Sequence, residues 1–202
     1  MTSADDFTHA SQAFVDVVAK IEPSQWELPG LGNWDVRALV GHTARALLTV
    51  ENYLGLDEPG RVSINSAEHY YSTIYAEYTD PHGIEVRGFE AGAWLADDPL
   101  GAIQGARERA LKAIADQPAD RIVSIGGLGI LLSEYLRTRV FELVVHTLDI
   151  SRATGIDYPM GSTPLRHSVV LAAQVAAERG QSAEVLLALT GRSPLPDGFN
   201  VV

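Results

Sequence analysis

Apolar residues at Phe7, Ala10, Phe14, Val17, Val18 and Ile21 recur every three to four positions. That is the period of one helix face, and it predicts a helix from about Ser3 to Ile21 that Pro23 stops. The stretch with Trp26, Pro29, Gly30 and Gly32 reads as a loop. Asp35 then stands where an N-cap belongs, ahead of a second helix from Val36 to Leu54 that ends near Gly55. Val36, Leu39, Val40, Leu47, Val50 and Leu54 form its apolar side. After a turn-rich break at Asp57–Arg61, residues from about Ser66 to Thr79 predict a helix carrying Tyr70, Tyr71, Tyr75 and Tyr78, most of them expected in the core. Asp80–Gly83 reads as a turn. Helical periodicity runs from about Ile84 to Leu95 and resumes after Pro99 as far as Pro118. The pattern leaves open whether Pro99 starts a new helix or kinks a long one. Ile122–Ile125 is a short β-branched run. Gly126, Gly127 and Gly129 read as a loop that feeds the next helix, without the lysine or the strand–helix setting of a phosphate loop.

That next helix is the most informative stretch of the chain. Arg137 to Arg152 is apolar on most sides, so it is expected to be largely buried, and it ends near Gly155. Glu142 and His146 stand one turn apart on one face, with Asp149 three residues further along it and Arg139, Thr138 and Tyr135 behind. A last helix is expected from about Leu165 to Thr190, interrupted at Gly180, before a turn-rich end. Strand content is minimal. The pattern predicts an all-α protein: an antiparallel bundle of four long helices with additional helices, forming one domain over residues 1–202.

Two readings of the Glu142–His146 stripe compete. It is either the wet side of a core helix or one wall of a metal-holding cleft, and the second needs a ligand from elsewhere. His42 lies at the edge of the inward stripe of the second helix. An inward histidine is ordinarily structural, but helix bundles build metal sites from facing helices. Two imidazoles and a carboxylate suit a borderline divalent ion such as Zn²⁺ and leave coordination positions open for water or substrate. Asp149 is placed to orient a ligand imidazole or to cap a neighbouring element.

Composition narrows the classes. The chain has 202 residues, 46% of them hydrophobic, with a formal net charge of −11. Such a chain builds a sizeable core, and its charge argues against a nucleic-acid or anionic-membrane partner. No window approaches the roughly 18–20 apolar residues of a membrane span. The acidic start, Met-Thr-Ser-Ala-Asp-Asp, has no apolar signal core, so a cytoplasmic location is expected. There are no cysteines. Any metal site is therefore built from His and carboxylates, and any thiol nucleophile must come from outside the chain.

Three segments carry a family resemblance: Leu-Val-Gly-His-Thr at His42, Arg-Val-Phe-Glu-Leu-Val-Val-His-Thr-Leu-Asp around Glu142 and His146, and Leu-Leu-Ala-Leu-Thr-Gly-Arg near the C-terminus. Over most of its length, from the first helix to Arg192, the chain resembles the N-terminal domain of mycothiol-dependent maleylpyruvate isomerase, in the DinB-like superfamily of metal-binding four-helix bundles. The resemblance implies a divalent metal, usually zinc, held by His42, Glu142 and His146, with Asp149 beside them. It also implies mycothiol or a related thiol as cosubstrate, its sulfur bound by the metal and kept as thiolate, the active nucleophile. Arg87 and Arg139 become candidate anchors for a carboxylate on the thiol or the substrate. The isomerase carries a further C-terminal domain, whereas this chain ends after its last helix. The expectation therefore moves from maleylpyruvate to the family's thiol transferases or to members of unassigned activity. The leading expectation is a metal-dependent transferase or isomerase acting on a small electrophile. The alternatives are metal-assisted hydrolysis, separated by a thiol requirement, and a non-catalytic ligand-binding bundle. A homodimer through helix faces is also expected, with no face assigned.

Overall fold

The computed structural model describes residues 2–75, 80–158 and 161–201. The fold is a mostly helical bundle with two small antiparallel sheets. Helix α1 (Ser3–Val18) opens with a capping box in which Thr2 and Asp5 satisfy each other's backbone N–H groups. A short strand pair, β1 (Pro29–Leu31) and β2 (Trp34–Asp35), leads into α2 (Val36–Leu54). Asp35 caps α2 as expected, its Oδ1 accepting the Ala38 N–H at 2.7 Å. Helices α3 (Pro81–Trp94) and α4 (Pro99–Ala115) follow, then the hairpin β3 (Ile122–Ile125) and β4 (Leu128–Leu131). Helix α5 (Leu132–Thr154) ends at Gly155, whose φ of 72° makes the left-handed C-cap that glycine adopts most easily. Helices α6 (Ser162–Glu178) and α7 (Ser182–Leu189) complete the chain.

Several local expectations are corrected. Asp80–Gly83 is the start of α3: Asp80 caps the helix and Pro81 occupies its first turn, where a missing N–H is harmless. Pro99 likewise opens α4 under an Asp98 cap, so it separates two helices. The run at 122–125 pairs with 128–131, because Gly126 and Gly127, at φ 57° and 87°, form the tight turn that such hairpins require. The helix expected over 66–79 is instead a turn of α-helix at Ala67–His69 followed by a π-helical stretch at Tyr70–Tyr75. Tyr78 lies outside the described residues. The last helix is two, separated at Gly180 with φ 76°.

Helices α1, α2, α4 and α5 surround one core that includes Phe7, Phe14, Leu39, Leu47, Ile103 and Leu143, all fully buried. Helix α2 is central, touching α3, α4 and α5. Its partner α3 packs very close: a Cβ built on Gly41 would lie 2.3 Å from the Ala91 carbonyl carbon, and one on Gly92 would lie 3.0 Å from the Ala38 Cα. Backbone cannot yield as a flexible side chain can. Gly41→Ala is therefore expected to destabilise the fold by ~1–3 kcal/mol through overpacking. A thermal midpoint equal to the parent's would disprove this contact.

Candidate metal centre

His42 and the Glu142–His146 pair face each other across the α2–α5 contact. The two imidazole centroids are 4.9 Å apart and nearly perpendicular. The next ring contact between these helices, Tyr53 with Tyr135 at 5.8 Å, shows the helices to be antiparallel. Trp34 stacks on the other side of His42, with centroids 4.5 Å apart and planes tilted by 33°. The indole is itself held by its Nε1–H, which donates to the Glu85 carbonyl at 3.0 Å. His42 is thus fixed by an aromatic ring on one side and by the facing helix on the other.

On α5, His146 Nε2 lies 3.3 Å from Glu142 Oε2, and Nδ1 lies 3.3 Å from Asp149 Oδ2. The three side chains are only 14–21% exposed, so the stripe is a half-buried face rather than a freely solvated one. Tyr71 closes the far side of Glu142. Its hydroxyl hydrogen is shared between Glu142 Oε1 at 2.8 Å and the Thr138 carbonyl at 3.1 Å. The segment carrying Tyr71 is docked on α5 by Glu134, which accepts the Ala67 N–H at 2.9 Å, and by the ion pair of Glu68 with Arg137.

One potential ligand atom from each of His42, Glu142 and His146 lies within 4.8 Å of the others. Tetrahedral zinc at ordinary bond lengths holds its ligand atoms about 3.4 Å apart. The trio therefore needs only a small side-chain contraction to meet that geometry. A second observation bears on the fit. His42 Nδ1 is buried without a hydrogen-bond partner among the described residues. An orphaned buried acceptor or donor costs about 1–3 kcal/mol, a cost that a divalent ion would remove only by binding at Nδ1 itself.

Two of the three donors, His42 and Glu142, already stand in the protonation state a metal requires, while His146 holds a proton that an ion must displace. Burial, helped by the neighbouring His146, lowers the His42 pKa to about 3, so the ring is neutral at physiological pH. Burial also opposes charge on Glu142, but His146, Arg139 and Tyr71 outweigh it and hold the carboxyl ionised. For His146, burial is overcome by Asp149 and Glu142, which raise its pKa to about 9. Burial and the nearby Glu142 raise the Tyr71 pKa, which keeps the hydroxyl a hydrogen-bond donor.

The two expected anchors differ in placement. Arg139 is half-buried on α5, one turn from Glu142, with its guanidinium 5.1 Å from the Tyr135 ring and 5.9 Å from Tyr70. Arg87 is exposed on α3. Trp34 and Tyr71 were not legible as site residues. Tyr71 sits in a π-helical register, where the ordinary 3.6-residue bookkeeping misplaces a side chain. Removing its hydroxyl should loosen Glu142. Tyr71→Phe is expected to weaken zinc binding by roughly 10–100-fold, as losses of ligand-orienting partners do. Chelator competition on a variant of unchanged helical content is the check, and parental affinity would exclude the orienting role.

A mostly helical bundle that brings two histidines and a glutamate together between two antiparallel helices is the setting in which the family match is read. The sequence profile of the mycothiol maleylpyruvate isomerase N-terminal domain matches residues 7–151, well over half of the chain, and the chain belongs to that family. Its fold is that of a DinB-like all-α bundle. No curated protein and no solved structure matches it.

Proposed function

We propose that this protein is a metal-dependent enzyme that uses a low-molecular-weight thiol of the mycothiol type on a small electrophile, by transfer or by isomerisation. The observation that carries the reading is the convergence of one potential ligand atom from each of His42, Glu142 and His146 within 4.8 Å. A divalent ion, by preference zinc, would supply Lewis acidity that keeps a bound thiol deprotonated at neutral pH. His42 contributes a neutral ring pinned against Trp34. Asp149, accepting from His146 Nδ1, turns Nε2 toward the cleft and fixes the tautomer. Tyr71 engages Oε1 of Glu142 and leaves Oε2 facing His146. The chain has no cysteine, so it offers no sulfur nucleophile of its own. Family membership supplies the thiol in this reading.

The test is metal content by mass spectrometry on protein purified without tag or chelator, in the parent and in His42→Ala, followed by an electrophile screen with and without mycothiol. Near-stoichiometric metal, lost in His42→Ala, with turnover only when thiol is present, is the expected result. A parent that takes up no metal even on reconstitution would overturn the reading. Turnover without thiol would replace it with hydrolysis.

A further inference from the structure

On the side of α5 away from the trio, three helices enclose a hollow. Val140 and Glu142 stand two residues apart on α5, so they project about 200° from each other around its axis. Val140 and Arg137, one turn apart, look instead into a cavity of about 240 Å³ between α1, α5 and α6. Asp6 lines it from α1, and His167, Ser168 and Leu171 line it from α6. These four residues lie outside the stretch that the family profile matches, residues 7–151. The cavity is therefore built largely by parts of the chain that the profile does not describe.

Buried polar groups are ordinarily hydrogen-bonded. This cavity holds two that are not. The Asp6 side chain is 8% exposed, and its Oδ2 lies 2.5 Å from His167 Nδ1, but its Oδ1 has no hydrogen-bond partner among the described residues. Ser168 is 5% exposed, and its Oγ is likewise without a hydrogen-bond partner among the described residues. The charges around them decide what would bind. The Arg137 guanidinium is already taken: Nη1 lies 2.6 Å from Glu134 Oε2 and 3.2 Å from Glu68 Oε2, and Nη2 donates to Gln174 Oε1 at 2.9 Å. Two carboxylates outweigh it, so it is no receptor for an anion. The free capacity is that of acceptors: one carboxylate oxygen, and a hydroxyl that accepts as well as donates. An ammonium group brings positive charge and three donors, and its hydrogen bond to a carboxylate is of the strong, charge-assisted kind. Val140 and Leu171 are buried and present apolar surface beside these acceptors. The hollow is smaller than the roughly 300–1,000 Å³ of pockets for drug-sized ligands, which limits the ligand to a short chain.

We propose that the cavity between α1, α5 and α6 binds a small aliphatic primary amine, its ammonium donating to Asp6 Oδ1 and Ser168 Oγ and its alkyl chain lying on Val140 and Leu171. His167 holds the carboxylate by Oδ2 and leaves Oδ1 to the ligand. The site is separate from the His–Glu–His trio and needs no metal, so it stands or falls independently of the chemistry proposed there.

The experiment is calorimetric titration of the full-length protein with n-butylammonium chloride. 1-Butanol keeps the chain and removes the charge, and sodium butyrate inverts the charge. The proteins are the parent, Asp6→Asn, Ser168→Ala and Asp120→Asn, the last an exposed residue before β3 that controls for the loss of one negative charge. Helical content and thermal midpoint are recorded for each. Butylammonium is expected to bind the parent saturably, 1-butanol to bind at least about tenfold more weakly, and butyrate not to bind. Affinity for butylammonium should fall at least about tenfold in Asp6→Asn, severalfold in Ser168→Ala, and not at all in Asp120→Asn. A parent that shows no saturable binding of butylammonium, or a folded Asp6→Asn that binds it as tightly as the parent, overturns the proposal. So does 1-butanol binding as tightly as butylammonium, which would make the hollow merely apolar. If Asp6→Asn loses its fold, Ser168→Ala decides: parental affinity in that folded variant removes the site.

Discussion

Glu142→Ala is expected to bind zinc roughly 10²–10³-fold more weakly than the parent while keeping its helical content. The magnitude follows from structural zinc sites, whose binding free energy of about 10–16 kcal/mol is shared among four ligands. One ligand then accounts for about 3–4 kcal/mol, or two to three decades. Fold loss should be limited for a specific reason. Glu142 is a charged group in a cleft beside His146, and removing it also removes a buried charge. The Tyr71 hydroxyl keeps its second acceptor, the Thr138 carbonyl. Competition against a chelator of known affinity measures the effect, and circular dichroism reports the fold. A variant as tight as the parent would remove Glu142 from the ligand set, and with it the centre proposed here.

The second large effect is on pH. In the metal-free protein His42 is neutral above about pH 3, and Glu142 is ionised throughout the neutral range. His146 alone holds a proton that an incoming ion must displace, because its pKa is raised to about 9. Binding requires the deprotonated ring, so acid opposes it. Apparent zinc affinity should rise about tenfold per pH unit through the neutral range and level off near pH 9. One proton should leave per ion bound, which calorimetry in buffers of different ionisation enthalpy counts directly. Asp149→Asn removes a charge that supports the imidazolium, so its plateau should begin at lower pH. An affinity unchanged between pH 6 and pH 8 would contradict the assigned role of His146.

The legible parts of this molecule are those governed by local chemistry. Asp35 before an apolar run announced α2, and Gly155 after one announced the end of α5, because capping depends on a few adjacent residues. Helical spacing placed Glu142, His146 and Asp149 on one face. The inward stripe of α2 offered His42 as a counterpart from a facing helix, and the family resemblance joined it to them. What stayed hidden depended on the meeting of distant segments. Gly126 and Gly127 read as a loop until β3 and β4 were seen to pair across them. Tyr71 reaches Glu142 through a π-helical stretch that no sequence period announces.

The stacking of Trp34 on His42 turns the protein into its own optical instrument. The chain has three tryptophans. Trp94 is 38% exposed on the outer side of α3, and Trp26 lies under Arg37 at 5.3 Å, so both give a steady background. Only Trp34 has its ring against the imidazole of the trio, 4.5 Å away. A positive ion arriving at His42 changes the field on that indole and therefore its emission. Ion binding at the trio would then be read in unlabelled protein, on the timescale of a rapid-mixing trace.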